Sequence, residues 1–205
     1  LQRAREQSWA LSFCLAYNEY EMTTNHTKGN NLSDTRNVVD EFKGWQHDDI
    51  VRELDSRGTG IEIAIENTER DFNMGTIVRS ANAFGVRHIH VIGRRQWNKR
   101  GAMATDKYLH VHYHVSVREF AEAMTARGRT IIAVDNITGS VPLRTVTLPE
   151  NTVLVFGQEG PGISTELASV ATTIVAIEQF GSTRSINVGV AAGIVMYAWL
   201  QQNVL

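Results

Sequence analysis

The chain has 205 residues, 42% of them hydrophobic, which is sufficient for one substantial α/β domain. Its formal net charge of -2 argues against a generally polycationic nucleic-acid binder, so that any such contact must be local. The single cysteine, Cys14, excludes an internal disulfide framework, and no run reaches the roughly 20 apolar residues that span a bilayer. We therefore expect a cytoplasmic protein without a membrane segment.

Residues 1–60 are predicted to form an amino-terminal helical extension with a mobile linker. The first apolar run faintly resembles a signal peptide, but Ser12 and Asn18 interrupt it, which favours a short peripheral helix. Residues 23–34 are polar and poor in core-forming side chains, which is typical of a linker. A further helix is expected around residues 48–56, leading into the main domain.

Residues 61–205 are predicted to form one domain in which strands and helices alternate. Strands are expected at residues 61–65, 88–92, 110–115, 130–135, 152–156 and 173–177. Helices are expected at residues 75–83, 117–127, 165–171 and 188–201. This alternation predicts an α/β fold with a mainly parallel sheet covered by helices on both faces.

The helix predicted over residues 75–83 carries an arginine of interest. Met74, Ile77 and Val78 can supply an inward apolar stripe, which leaves Arg79 towards the exposed side. On position alone, a solvated surface arginine is the default interpretation.

A basic segment with one aromatic residue follows the second predicted strand. The segment places four cations around Trp97, namely Arg94, Arg95, Lys99 and Arg100. A solvated loop is the more common meaning of such a run, but cations beside an aromatic ring also suit phosphate contact and base stacking. The two interpretations stay open.

Three histidines, His110, His112 and His114, alternate along one face of the third predicted strand. A metal site is conceivable there, but no cysteine or carboxylate lies beside them at the spacing of zinc ligands. We expect a partly exposed strand face and no metal.

The strand predicted over residues 152–156 runs directly into glycine-rich backbone. Gly157, Gly160 and Gly162 would allow backbone N–H groups to approach a ligand closely. Either Ser164 or Thr165 could cap the helix that follows.

A nucleoside triphosphate is not the expected ligand of this loop. Gly157 and Gly162 have the Walker A spacing, but Ile163 stands where the lysine should be, and Glu159 would repel phosphates. An adenosine ligand without phosphates, and especially one that carries a positive charge, suits an acidic glycine-rich loop better.

The last predicted strand leads into a polar loop, residues 181–185, and then into a helix that opens near Asn187. Capping alone could explain Ser185 and Asn187 at this helix start. Capping is a weaker explanation here because a glycine-rich loop also follows the strand about twenty residues upstream. Ligands of parallel sheets bind at the carboxyl ends of the strands, where both loops lie.

Three motifs in this chain resemble those of the SpoU (TrmH) branch of the SPOUT RNA methyltransferases. They are N-x-G-x-I-x-R from Asn73 to Arg79, V-F-G-Q-E-G-x-G from Val155 to Gly162, and I-x-x-F-G with S-I-N-V between Ile177 and Val188. Their order and spacing are kept, so the combined signal is specific where a single motif would be weak. The resemblance implies a deep carboxyl-terminal trefoil knot, a homodimer and S-adenosylmethionine as methyl donor.

The resemblance also implies the site residues. The cofactor would lie among Val134, Gly157, Gly162, Ile177 and Ile186. The catalytic set would be Arg79, Glu159, Ser185, Asn187 and Asn73. A guanidinium with a pKa above roughly 12 is a poor proton acceptor, so we expect Arg79 to orient phosphate and stabilise the developing alkoxide. Asn73 would brace the Arg79 helix, although capping alone could explain it.

The expected activity is 2'-O-ribose methylation of structured RNA, closest to the tRNA guanosine type. The GQEGPGIS loop and the lack of a separate RNA-binding module in residues 1–60 favour tRNA, with a D-loop guanosine as a candidate. The alternatives are an rRNA 2'-O-methyltransferase and a catalytically silent RNA-binding dimer of the same fold. The sequence departs from the usual family pattern at Gln179, Arg184, Ile186 and Gly189.

Overall fold

The computed structural model describes residues 34–68 and 73–205, which fall into two compact units, one ending at Gln46 and the other running from His47 to Leu205. In the first unit, the Asp34 carboxylate binds the Arg36 guanidinium at 2.6 Å and accepts the N–H of Gly44 at 2.9 Å. The predicted peripheral helix and all but the last residue of the predicted linker lie outside the described residues. The predicted division after Gly60 stays a prediction.

The described part of the second unit contains five α-helices and seven strands. The helices are α1 His47–Ser56, α2 Met74–Ala83, α3 Val117–Ala126, α4 Thr165–Val170 and α5 Val188–Asn203. The strands are β1 Glu62–Asn67, β2 His88–Gly93, β3 His110–His114, β4 Thr130–Val134, β5 Val141–Pro142, β6 Thr152–Phe156 and β7 Thr173–Ala176.

The seven described strands form one sheet in the order β3-β2-β1-β6-β4-β7-β5, and every pair of neighbours is parallel. The predicted mainly parallel α/β fold is therefore confirmed. The edge strand β5 was missed because two residues are too few to show a periodicity. In this order β6 enters between β1 and β4, and β7 enters between β4 and β5. The trefoil knot itself stays a prediction.

Helices cover both faces of the sheet, as predicted. On one face, α2 and α5 pack against inward residues such as Ile63 of β1 and Phe156 of β6. On the other face, α3 and α4 pack against residues of opposite parity, such as Ala64 and Val155. Because successive side chains of a strand point to opposite faces, the doubly covered strands β1 and β6 are buried along their whole length.

The carboxyl-terminal helix α5 packs closely against α2 at its first turn. A Cβ atom at Gly189 would lie 3.0 Å from Cγ2 of Thr76, so glycine permits this approach, whereas a Cβ atom at Gly193 would meet open space. Val190, Ile194 and Tyr197 are exposed on the same helix. Within the part of the chain that the structure describes, no helix has the length and apolar character that a membrane crossing requires.

Candidate active site

A cavity of about 500 Å³ opens at the carboxyl ends of β4, β6 and β7. Its apolar wall includes Val134, Phe156 and Val175, the last or nearly last residues of these three strands. The remaining wall comes from the residues that follow β4, from the two loops that follow β6 and β7, and from the first turn of α5. Parallel neighbours end at the same edge of a sheet, which is why segments distant in sequence meet here.

The loop after β6, residues 157–162, leaves no room for a side chain at two of its glycines, Gly157 and Gly162. Gln158 and Gly162 form an antiparallel bridge, with N–H to carbonyl distances of 3.0 Å in both directions. A Cβ atom at Gly157 would overlap the backbone of Gly162 and Ile163. Gly162 has a φ of +75°, and a Cβ atom there would overlap the carboxylate of Asp135. Both glycines are therefore required by the shape of the loop.

Two carboxylates accept hydrogen bonds from the backbone at the end of this loop, and neither was identified from the sequence. Asp135 accepts the N–H of Ile163 at 2.9 Å, and the buried Glu66 accepts the N–H of Ser164 at 2.8 Å. Their signal in the sequence is their position at the ends of β4 and β1. Because carboxylates already occupy these two backbone donors, the loop differs from a phosphate cradle, in which such donors face the anion.

Ser164, rather than Thr165, caps α4. Its hydroxyl oxygen accepts the N–H of Leu167 at 3.1 Å, and the helix begins at Thr165. This cap and the hydrogen bond that the Ser164 N–H donates to Glu66 together fix the end of the glycine-rich loop.

Three polar side chains from separate elements form a hydrogen-bonded chain beside the cavity. Asn73 donates its Nδ2 proton to Oε2 of Glu159 at 2.6 Å, and Asn187 donates its own to Oδ1 of Asn73 at 3.1 Å. Oδ1 of Asn187 in turn accepts the N–H groups of Gly189 and Val190, at 2.9 and 3.3 Å, and so caps α5. Each amide is oriented by its neighbours, because only one assignment gives every donor an acceptor. Asn73 forms no side-chain cap on its own helix, so capping does not explain it.

The loop after β7 forms the opposite wall of the cavity. It contributes Ile177, Gln179 and residues 184–188 to the lining. Asn136, at the end of β4, donates its amide proton to the carbonyl oxygen of Arg184 and thereby ties this loop to the sheet. Ser185 is exposed and provides no cap, so capping explains Asn187 but not Ser185.

The cavity brings together most of the residues that the sequence singled out. All five predicted cofactor residues line it, namely Val134, Gly157, Gly162, Ile177 and Ile186. Glu159, Ser185 and Asn187 line it as well, and Asn73 joins them through its hydrogen bonds. Arg79 does not line it. That residue is exposed on α2, roughly 9 Å along the helix axis from Asn73 at 1.5 Å per residue.

The basic segment lies against the first turn of α2. A Cβ atom at Gly75 would overlap the backbone of Gly101 and Ala102, so the two segments are in backbone contact next to Asn73. Arg94, Arg95, Lys99 and Arg100 are all exposed. Lys99 binds Asp106 at 2.7 Å, and this hydrogen bond raises the pKa of the lysine. The cations are therefore presented to solvent close to the candidate site.

Base stacking by Trp97, which belongs to one of the two interpretations of the basic segment, is wrong. Its side chain is only 8% exposed and belongs to the hydrophobic core on the α2 face of the sheet. Lys99 Nζ lies 5.3 Å from the centre of its ring, on which a base would have to stack. An aromatic residue among cations gives the same local sequence pattern whether its side chain faces solvent or the core, and the side chain of Trp97 is buried in the core.

Two of the three histidines of β3 pair with two histidines of β2 that were not identified from the sequence. His88 Nδ1 lies 3.0 Å from His112 Nε2, and His90 Nδ1 lies 2.9 Å from His114 Nε2. His90 Nε2 contacts the buried carboxylate of Glu62 at 2.8 Å. Among residues 34–68 and 73–205, no group of three or more His, Cys, Asp or Glu side chains has an arrangement that could hold a metal ion.

Burial controls the protonation of these histidines. It lowers the pKa of His88 and His114, and it lowers the pKa of His112 to about 4, with neighbouring His90 and His88 adding to the effect. His88, His112 and His114 are therefore neutral at pH 7, with the ring of His88 bonded to that of His112 and the ring of His114 bonded to that of His90.

Comparison with known proteins identifies relatives of the whole α/β unit. A family model described as the SpoU rRNA Methylase family matches residues 60–197. The chain is 24% identical over 151 residues to the tRNA (guanosine(18)-2'-O)-methyltransferase of Escherichia coli (strain K12), an alignment that covers 72% of this chain and 66% of that protein. The chain thus spans slightly less than two thirds of the length of that relative.

Two solved structures share the fold. The A. aeolicus TrmH/SpoU tRNA modifying enzyme has 26% sequence identity and a TM-score of 0.67, with 76% of this chain and 81% of that chain covered. An AdoMet-bound rRNA methyltransferase from Sinorhizobium meliloti has 27% identity and a TM-score of 0.63, with 71% and 57% covered.

Proposed function

The chain belongs to the SpoU rRNA Methylase family, and on this basis we propose that it is an RNA 2'-O-methyltransferase that uses S-adenosylmethionine. The observation that carries the proposal is the single cavity formed by the two loops after β6 and β7, with Gly157, Ile177 and Ile186 in its wall. The E. coli relative is named for 2'-O-methylation of a tRNA guanosine, and the S. meliloti structure contains AdoMet.

The residues of the cavity fit this cofactor. Apolar side chains such as Val134, Phe156 and Ile186 suit an adenine ring, and the side-chain-free backbone at Gly157 allows close approach. Glu159 provides a negative charge at the rim, which suits a ligand that carries a positive sulfonium and an ammonium group. When bound, the cofactor would supply an electrophilic methyl group to the ribose oxygen and would leave as S-adenosylhomocysteine, while the hydroxyl proton passes to solvent.

The polar chain from Glu159 to Asn187 serves to hold the acceptor in place. Asn73 fixes the Glu159 carboxylate at 2.6 Å, and Asn187 links both to the rigid first turn of α5. Groups held in this way can orient a ribose for in-line attack, and such alignment supplies much of the acceleration in a methyl transfer. Ser185 lies at the cavity wall, where its hydroxyl can position the ribose or the methionine end.

Arg79 is proposed to act on the RNA rather than on the cofactor. Its guanidinium is exposed on α2 and does not line the cavity. A cation in this position can bind a phosphate next to the target ribose and stabilise the alkoxide that develops there. The basic segment, residues 94–100, leads into the backbone that contacts the first turn of the same helix, and it adds further cations for the RNA backbone.

A homodimer is proposed, with α5 in the interface. Val190, Ile194 and Tyr197 are 54%, 40% and 47% exposed, and their spacing places them on one side of the helix. A second copy would remove this apolar surface from water. It would also double the local basic surface, which a chain with a net charge of -2 otherwise lacks.

The preferred substrate is tRNA in the cytoplasm, with a D-loop guanosine as the candidate nucleotide. Both the E. coli and the A. aeolicus relatives are named for tRNA, whereas the S. meliloti structure is named for rRNA. A catalytically silent RNA-binding dimer is the other candidate. The intact Glu159–Asn73–Asn187 chain favours the enzyme, because a silent dimer does not require a polar network beside the cofactor cavity.

Labelled methyl transfer tests the proposal. Wild-type protein is incubated with labelled S-adenosylmethionine and with separate tRNA and rRNA fractions, and calorimetry measures binding of S-adenosylhomocysteine and ATP. We expect transfer to tRNA, binding of S-adenosylhomocysteine and no binding of ATP. Arg79→Ala should abolish transfer and retain cofactor binding.

A matched control is Arg118→Ala, which removes an arginine whose side chain is 83% exposed on α3. This variant should behave as wild type. Cofactor binding without transfer to any RNA would favour the silent dimer, and unchanged transfer by Arg79→Ala would remove that arginine from the mechanism.

A further inference from the structure

Phe180 is an unusually exposed aromatic residue at the edge of the cavity. Its relative exposure is 96%, the highest of the large apolar side chains in the described ranges. The residue before it, Gln179, lines the cavity, and the space around the Cα atom of Gly181 is open. The ring therefore stands in solvent immediately outside the cavity wall.

The loop that carries Phe180 is attached to the rest of the domain on both sides of the ring. On one side, Glu178 binds the Arg144 guanidinium at 2.7 Å. On the other side, the carbonyl oxygen of Arg184 accepts a hydrogen bond from Asn136. A ring presented from such a loop loses less freedom when it binds a partner than one on a free segment.

The surroundings of the ring indicate the chemistry of its partner. Exposure of a whole phenyl ring forgoes the favourable burial of its apolar surface, so a partner that covers it gains that energy. Arg184 lies four residues along, is exposed, and lines the cavity. An exposed aromatic ring in the same loop as an exposed cation suits an unstacked nucleobase with its phosphate.

We propose that Phe180 is a stacking platform for a nucleobase of the RNA substrate, next to the ribose that receives the methyl group. The inference rests on the proposed function and deepens it, because it assigns the contact that holds a splayed nucleotide at the cavity mouth. It also replaces Trp97, which is buried, with a ring that RNA can reach.

Steady-state kinetics on an unmodified tRNA transcript test this role. Phe180→Ala and Phe180→Leu should each raise KM for the tRNA on the order of tenfold, the effect of losing one base–aromatic stack, while kcat changes less. Phe180→Trp should keep KM within about threefold of wild type, because it retains an aromatic face. Affinity for S-adenosylhomocysteine, measured by calorimetry, should stay unchanged in all three variants.

Fluorescence gives an independent readout. The tryptophan in Phe180→Trp should be quenched when the tRNA transcript is added, after subtraction of the wild-type signal. Sedimentation of Phe180→Ala should match wild type, since the ring is assigned to RNA and not to a second copy of the chain.

The outcomes separate this inference from the proposed function. If wild type methylates no RNA, the enzyme assignment fails, and quenching of Phe180→Trp by tRNA still decides whether the ring contacts a base. Wild-type KM for Phe180→Ala in an active enzyme overturns the stacking role alone. Full activity of Phe180→Leu shows an apolar contact without stacking, and altered sedimentation assigns the ring to a dimer contact. Either result overturns the inference.

Discussion

Replacement of Asn187 can separate its helix-capping role from a role in the reaction. Its Oδ1 atom accepts two N–H groups of the first turn of α5, and its Nδ2 atom donates to Asn73. Loss of an N-cap costs about 1 kcal/mol, and loss of a partly exposed neutral hydrogen bond adds roughly 0.5 kcal/mol. Asn187→Ala should therefore lower the free energy of unfolding by about 1.5 kcal/mol, which corresponds to roughly 3–6 °C in Tm for a chain of this size.

Asn187→Ser is the informative partner of this variant. Serine is a good N-cap, so thermal unfolding should return close to the wild-type Tm. The shorter side chain carries no amide to bind Asn73, and the orientation of Glu159 is then no longer fixed through the chain. We expect methyl transfer to stay reduced by on the order of 100-fold, since small losses of alignment are costly in catalysis.

Thermal unfolding by circular dichroism and labelled methyl transfer to tRNA are measured on the same preparations. Recovery of both Tm and activity in Asn187→Ser would show that Asn187 only caps the helix. Loss of activity in proportion to the loss of stability in both variants would lead to the same conclusion. Either result would refute a role for the polar chain in positioning the substrate.

Three further predictions concern the cavity, the histidines and the dimer. Gly157→Ala should abolish S-adenosylhomocysteine binding in calorimetry, because the new Cβ atom would overlap the backbone of Gly162 and Ile163. The control Gly193→Ala places its Cβ atom in open space and should bind S-adenosylhomocysteine normally. Stability in urea should fall as pH drops from about 6.5 towards 4, because His88, His112 and His114 have a lowered pKa in the folded state and the unfolded chain takes up the protons first. His112→Gln should flatten this dependence, and an unchanged slope would assign the acid sensitivity elsewhere. Ile194→Glu should give monomers in sedimentation, because it places a charge in the proposed interface. The control Val115→Glu changes another apolar residue, which is 81% exposed and lies outside α5, and it should leave the dimer intact. A dimer that survives Ile194→Glu would exclude α5 from the interface.

Much of the architecture was accessible from local patterns. Six of the seven described strands and all five helices predicted between residues 48 and 205 match the structure to within two residues, because apolar runs, glycines and cap residues act over short distances. The cavity-lining residues after β6 and β7 were predicted from the resemblance of their motifs to those of a known family, in addition to the local patterns. The residues whose roles were not predicted are those that depend on a contact with a residue distant in sequence. Trp97 has an aromatic–cationic pattern that fits both a surface and a core residue, and Asp135 receives its role only from the N–H of Ile163.

The amino-acid sequence by itself determined where strands end, where backbone must be free of side chains, and near which residues the helices begin, since each is a property of a few neighbouring residues. Only the tertiary structure decided which of these ends meet. Asn73 reaches Glu159 across 86 positions of sequence and Asn187 across 114. The ring pairs of β2 and β3 likewise depend on the register His88 to His110. Strand order and register arise from packing of the whole sheet, which no local pattern records.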